Sequence, residues 1–390
     1  MKKILLRAPL LTNSGYGVHS RQIFEWLLEK KDIEIDVECL KWGNTPWLIN
    51  NKNEPLINEI MMRSKALTPP YDITFQLQLP DEWDSRLGNF NVGLSAFVET
   101  EKCNPVWVDA CNKMDMIITP STFTKNVVKR SGIINKDIHV VPEWFNENLI
   151  ADRENNLISL PEIKTSFNYL MISSLTSISP IDDRKNLINT ISWLYEKHRN
   201  DTDIGILLKT SLGRGSKKDF LTTSRYLKQL TDSLKTKYGN NTKLYLLHGN
   251  MSSKEIASLY KHKSIKCLIS ATRGEGYGLP LIDAAASGMP IIATNWSGHL
   301  EFLANYNFLP IDYSLEEISR SKIDERIFLK GFRWAEPKKD SFFQCIDDLR
   351  SDYATFKSKC ILDSSHIQEN FCKQSIKKRY DELFAEIFKL

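Results

Sequence analysis

The sequence predicts an α/β protein with two parallel sheets, and three observations carry that expectation. Strand and helix signals alternate from end to end, as in chains built from βαβ units. The apolar runs that read as strands are brief and unalternating, as strands covered on both faces should be. A polar segment, 146–165, interrupts the alternation in mid-chain, and a new strand begins after it.

In the first half, strands are expected at 3–8, 33–41, 71–78, 91–99, 114–119 and 137–141, with helices at 17–30, 54–64, 105–113 and 121–131. The second half opens with a strand at 168–173. Helix 182–198, strand 204–210, helix 217–237, strand 243–248, helix 252–261 and strand 265–270 follow. Ser252 or Ser253 caps the helix after 251, with Glu255 completing a capping box. A glycine-rich turn leads to a further strand at 290–295, and from 340 the chain reads as mostly helical, ending in 373–388. The expected domains are 1–155 and 156–370, with 371–390 as a terminal helix.

At 390 residues the chain is long enough for two ordinary domains. Its 42% hydrophobic and 26% charged residues are those of a soluble globular protein. A net charge of only +4 makes no case for nucleic acid as a partner. The seven cysteines are odd in number and contain no CxxC pair, which points to reduced thiols and a cytoplasmic location. Met1-Lys2-Lys3 leads into a short apolar run broken by Arg7, which reads as a first strand and not as a secretory signal. No apolar stretch approaches the roughly 20 residues a membrane helix needs.

The most informative stretch is 270–283, Ser-Ala-Thr-Arg-Gly-Glu-Gly-Tyr-Gly-Leu-Pro-Leu-Ile-Asp. It follows the apolar strand 265–269, turns through three glycines and enters a helix with Pro280 in its first turn, where no amide partner is lost. Free amides and the positive end of the helix dipole converge there, making an anion site. Amides of Gly276, Tyr277, Gly278 and Leu279 are the candidate donors, and the carboxylates of Glu275 and Asp283 bracket the site.

These residues resemble the carboxylate motif of retaining glycosyltransferases of the family 4 type, enzymes with the GT-B fold. The resemblance continues through Ala284-Ala285-Ala286-Ser287-Gly288 to Trp296-Ser297-Gly298. Trp107, Asn112, Asp115, the stretch 120–132 and His139-Val140-Val141-Pro142 resemble the end of the family's first domain, and Trp334-Ala335-Glu336-Pro337 its tail in polysaccharide-building members. The resemblance implies two Rossmann-like domains facing across a cleft, acceptor on the N-terminal side and donor on the C-terminal side, with the last helix crossing back. It implies a nucleotide-diphosphate-sugar as donor and a glycan, lipid-linked or protein-linked hydroxyl as acceptor, in glycan or surface polysaccharide assembly. No cofactor and no metal are expected.

Within that frame Glu275 contacts hydroxyls of the transferred sugar and Asp283 the ribose, with a helix-start acid favoured by the dipole as the alternative for Asp283; the family's second acid is usually Glu, so Asp283 reaches one methylene less far. Departure of a diphosphate needs cations. Arg184-Lys185, expected at the start of the helix after strand 168–173, resembles the family's basic pair, and cations at a helix N-terminus run against the dipole. Lys209, ending the next strand, is a third candidate cation, with a plain surface lysine as the alternative. Met251 stands in the loop that the family uses for the nucleobase, although the helix cap accounts for that loop without a ligand. In the first half, Gly15 and Gly17 open a helix after strand 3–8 and resemble the family's donor-phosphate loop; a simple strand-to-helix turn is the competing view. Glu99 is expected to end the fourth strand, where the family often carries a histidine, and is a candidate polar group near sugar or acceptor, with a solvated loop acid as the alternative.

Other patterns are set aside or left open. Asp201-Thr202-Asp203 spells a metal-binding DxD but precedes a strand, on the edge opposite ligand sites in open sheets, and reads as a turn. Phe123, Lys125, Val127, Lys129 and Arg130 give a helix with apolar and basic faces, which leaves weak peripheral contact with the inner face of an anionic membrane open beside an ordinary surface helix. A nucleotide-sugar epimerase of the same fold, or a non-catalytic sugar-nucleotide binding subunit, are the rival functions.

Overall fold

A computed structural model describes residues 1–49, 54–151, 163–210, 213–239 and 241–388. The middle of the expected linker, 152–162, lies outside the described residues. The chain forms two compact units, the first comprising Met1–Trp144, Asp324–Leu329 and Ile376–Leu390, the second Phe145–Ile323 and Lys330–Ser375.

The first unit holds β1 (Lys2–Ala8), α1 (Gly15–Leu28), β2 (Ile33–Cys39), α2 (Pro55–Arg63), β3 (Tyr71–Leu77), β4 (Gly88–Leu94), α3 (Pro105–Lys113), β5 (Met116–Thr119), α4 (Thr122–Ser131) and β6 (Ile138–Val140). Its strands form one six-stranded sheet in the order β2-β1-β3-β4-β5-β6, and every pairing is parallel. Ile4, Leu5, Leu6, Phe75 and Val92 are fully buried, which is why their runs carry no polar alternation.

β4 ends earlier than the sequence suggests. Leu94 to Val98 reads as a continuing strand, but the amide of Phe97 donates to Ser95 Oγ (3.0 Å) and that of Ala96 to the Tyr16 hydroxyl (3.0 Å). These side chains take over the ladder's donors and turn the backbone, with Phe97 at φ 52°. Glu99 therefore stands in a half-buried bend beyond the strand instead of at its end.

The second unit contains α5 (Asn148–Ala151), β7 (Phe167–Ile172), α6 (Leu187–Lys197), β8 (Ile204–Thr210), α7 (Lys217–Tyr238), β9 (Lys243–His248), α8 (Ser253–Lys261), β10 (Ile265–Ser270), α9 (Leu279–Ala286), β11 (Ile291–Thr294), α10 (Leu300–Leu303), β12 (Leu309–Ile311), β13 (Tyr313–Glu317), β14 (Arg333–Pro337), α11 (Lys339–Ser351) and α12 (Tyr353–Asn370). The main sheet runs β12-β11-β10-β7-β8-β9, again with every pairing parallel. The chain winds outward from β7 to β9, then returns to place β10 on the other flank of β7. That reversal is a topological switch point, and the loops leaving the carboxyl ends of β7 and β10 meet there, where open α/β sheets take ligands. β13 and β14 pair antiparallel in a separate two-stranded sheet that periodicity does not foreshadow.

The last helix, α13 (Lys373–Phe388), completes the core of the first unit. Trp26, fully buried, packs against Phe75, Tyr380 and Phe384, and its indole Nε1 donates to Asp381 (2.8 Å). Lys377 reaches Glu29 at 2.6 Å. Among the described residues no helix is long and apolar enough to cross a membrane. Because the Phe384 ring is fully buried between Trp26 and Phe75, Phe384→Ala should cost about 3–5 kcal/mol; urea titration of the variant measures it.

Candidate active site

The loop after β7 brings two cations to the switch point. Asp183, fully buried, accepts the amides of Leu187 (2.7 Å), Lys185 (3.2 Å) and Ile188 (3.4 Å) and the Thr176 hydroxyl (2.6 Å). One carboxylate thus serves the exposed donors of the α6 N-terminus, and it delays the helix until Leu187. Arg184 and Lys185, expected inside the helix, stand in the turn before it. Asn186 closes that turn in the left-handed region (φ 52°), which Asn tolerates better than most residues. Its Nδ2 is buried and has no hydrogen-bond partner among the described residues.

The turn after β10 presents Glu275 to those cations. Lys185 Nζ lies 2.6 Å from both carboxylate oxygens, Arg184 Nη1 is 3.8 Å from Oε2, and the same nitrogen donates to the Gly274 carbonyl at 2.6 Å. Burial pushes the Glu275 carboxyl up, but Lys185 and Arg184 outweigh it and the net shift is downward, so the group is anionic. The turn is braced from below. The Glu275 amide donates to Ser297 Oγ (2.9 Å), and His299, fully buried, lies 3.4 Å from that hydroxyl and 2.7 Å from the Thr294 carbonyl. Gly298 donates to the Glu275 carbonyl at 2.8 Å, and a Cβ there would meet the Gly276 carbonyl oxygen at 2.0 Å, so only glycine fits. Gly278, at φ 105°, opens α9 without a side-chain cap. The ring of Tyr277 is buried edge-on against Phe302 and is a core element; Leu279 is half-buried.

Asp283 is 8% exposed, one turn into α9, and accepts the amide of Asn146 at 2.8 Å. Burial pushes its carboxyl up to about 7, with that amide pulling the other way. It is therefore not a solvated acid at a helix start. Lys209 is buried rather than on the surface, which excludes the plain alternative. Its Nζ donates to the Gly249 carbonyl (2.7 Å), tying the end of β8 to the loop before α8, and burial pulls its pKa down. Met251 is half-buried in that loop, and Ser252 with Glu255 forms the capping box on α8.

Gly15, Gly17 and Glu99 belong to the first unit. The amide of Gly17, expected to face an anion, donates to Ser14 Oγ (3.0 Å), and a Cβ on Gly17 would meet the Thr12 carbonyl at 2.1 Å. Gly17 thus serves the strand-to-helix turn, while Gly15 is exposed at the start of α1. The Tyr16 ring stacks on Trp42 at 3.8 Å, and its hydroxyl lies 3.0 Å from Ser95 Oγ. His19 and Glu143 are both buried, 4.0 Å apart; burial drops the imidazole to about 3 and lifts the carboxyl to about 8, so both are neutral near pH 7. The carboxylates of Asp201 and Asp203 are engaged by Arg350 (2.7 Å) and by the Ser166 amide (2.8 Å), as turn residues.

Sequence reading missed Asp183, His299 and above all Arg273, which is 3% exposed and packs over the Trp334 ring. Only the placement of an arginine inside a glycine turn hinted at it.

This geometry belongs to a known architecture. Two parallel-sheet units with flanking helices match the GT-B glycosyltransferase structures. Sucrose-phosphate synthase from Thermosynechococcus elongatus aligns over 100% of both chains at 14% identity and a TM-score of 0.64. A glycosyltransferase from Rickettsia africae covers 100% of this chain and 99% of its own, with 16% identity and a TM-score of 0.62. HepE of Anabaena, solved with UDP and glucose, covers 99% of this chain and 100% of its own, with 14% identity and a TM-score of 0.59. Residues 226–324, from within α7 past the glycine turn, match the family model of glycosyl transferases group 1. The fold and the family match together support a group 1 glycosyltransferase. No curated protein sequence matches the chain.

The state of Asp283 has a measurable consequence. Its folded pKa of about 7 lies above the unfolded value of 3.8, so the native state binds the extra proton between those limits. Its contribution is fully present below the unfolded value and is lost as pH rises through the folded one, at up to about 1.4 kcal/mol per pH unit. Asp283→Asn should therefore gain stability relative to the parent from pH 4 to pH 7, measured by chemical denaturation at each pH; parallel profiles would contradict it.

Proposed function

We propose that the chain is a retaining glycosyltransferase of the family 4 type, moving a sugar from a nucleotide-diphosphate-sugar to a hydroxyl of a glycan, lipid-linked or protein-linked acceptor. The observation that carries this reading is the contact of Lys185 with both oxygens of Glu275 at 2.6 Å, beside Arg184, at the switch point of a parallel sheet. Two cations and one acid on adjacent loops meet the two demands of the reaction. A diphosphate leaving group needs positive charge as its bond breaks, and the sugar needs a carboxylate to orient it.

In the resting protein the two demands satisfy each other. On donor binding, Lys185 and Arg184 turn to the diphosphate, with the amides at the head of α9, and Glu275 is released to the sugar hydroxyls. Arg forks phosphate oxygens and Lys supplies a compact charge. As the anomeric C–O bond breaks, the acceptor oxygen forms its bond on the same face, and the acceptor proton passes to the departing phosphate oxygen. Charge neutralisation is assigned to these side chains, so we propose a metal-independent reaction. Lys209 holds the loop of Met251, which we assign to the nucleobase; Asp283 is assigned to the ribose, in exchange for the Asn146 amide. HepE was solved with UDP-glucose, which supports a nucleotide-sugar donor here.

The seven cysteines are free thiols, which suits a reducing, cytoplasmic setting. A role in surface polysaccharide assembly follows from the resemblance of the Trp334–Pro337 segment.

A panel of nucleotide-diphosphate-sugars screened by thermal shift should raise the melting temperature for at least one donor. With that donor and an acceptor, Glu275→Ala should keep the fold and lower transfer by about 10²-fold or more. Near-normal turnover in the variant removes Glu275 from the site, and an isomerised sugar from donor incubated alone, detected by mass spectrometry, would point to an epimerase instead.

A further inference from the structure

We propose that Arg273 and Glu336 are a positioning pair that sets the place of the Arg184–Lys185 turn, and that β14 is thereby part of the diphosphate-binding apparatus. The inference rests on the assignment of Arg184 and Lys185 to the donor diphosphate.

Arg273 spends its guanidinium on one loop and one strand. Its Nη1 donates to the carbonyls of Pro180 and Asp183, both at 2.7 Å, while Nε and Nη2 fork Glu336 at 2.6 and 3.0 Å. Its backbone repeats the connection: the amide donates to the Arg184 carbonyl (2.8 Å), and the carbonyl accepts from Ala335 (3.1 Å). Residues 180, 183 and 184 are thus all held by residue 273, the last of them being the first of the two cations.

Stability alone does not call for this arrangement. A buried ion pair costs desolvation of both partners, and an apolar replacement of similar shape is often as stable. What a guanidinium adds is fixed direction, because its planar fork holds several acceptors at set angles and a lysine cannot. Two carbonyls of one loop and one carboxylate of a separate strand are held here in one plane of donors. The loop they hold has no strand pairing of its own between β7 and α6. A misplacement of about 1 Å caused far from the chemistry can cost an enzyme about 10²-fold in rate.

Glu336 is the outer member, with its side chain 35% exposed beside a cavity of about 450 Å3. Solvent there can replace part of what the carboxylate provides, so Glu336→Gln leaves the core intact while weakening the fork. Arg273→Lys keeps a charge but supplies no fork.

The test is calorimetric titration of UDP, GDP, ADP, inorganic pyrophosphate and the matching nucleosides into the full chain and both variants, alongside thermal unfolding. The parent protein should bind one nucleoside diphosphate. In Arg273→Lys and Glu336→Gln, affinity for that diphosphate and for pyrophosphate should fall about tenfold, with nucleoside affinity unchanged. If Arg273→Lys does not fold, the result for Glu336→Gln decides. Unchanged diphosphate affinity in the folded variants overturns the inference alone, as does a parallel loss of nucleoside binding, which marks a purely structural pair. A parent protein that binds none of the probes overturns the functional reading and this inference with it.

Discussion

A carboxylate withdrawn from water must find a cation or give up its charge, and Glu275 is the place where that constraint organises the second unit. Left alone in the interior, the ion would cost several kcal/mol. Lys185 and Arg184 keep it charged, and each in turn needs a backbone that holds it still. Asp183 supplies part of that by collecting the first amides of α6, and Ser297 with His299 braces the opposite side. The polar residues around the turn are therefore one connected set. Apart from Asn186 Nδ2, each satisfies a buried group that another creates, the condition under which buried networks specify a single arrangement.

The same network explains why glycine recurs there. Gly298 lets one loop lie against the carbonyl of Gly276, and Gly278 takes a backbone conformation that a side chain would strain. Close packing and the proposed anion site draw on the same residues. That leaves the Tyr277 ring free to serve the core, turned in against Phe302.

Much of the architecture was legible in the sequence, and the reason is local. β8 and β10 coincide with their apolar runs, and α13 with its helical pattern, because burial on both sheet faces or along one helix face writes itself into consecutive residues. The acids and cations of the turn were legible too, through motif resemblance. Failures came where a side chain captured backbone donors. Ser95 and Tyr16 end β4 within an apolar run, and Asp183 postpones α6 past the two cations. Arg273 was invisible for another reason: its partner lies 63 residues away on a strand that no periodicity announces, so the pairing exists only once the fold does.

The interrupted make-up of the first unit bears on how the protein is made. Its chain segments are Met1–Trp144, Asp324–Leu329 and Ile376–Leu390, so the aromatic cluster around Trp26 waits for residues 376–390 to be synthesised. The second unit, which ends at Ser375, is fully synthesised before its predecessor can close. A gene fragment stopping near residue 144 would accordingly carry all six strands of the first sheet but leave the Trp26 indole without Tyr380 and Phe384, so a cut there does not yield a complete first unit.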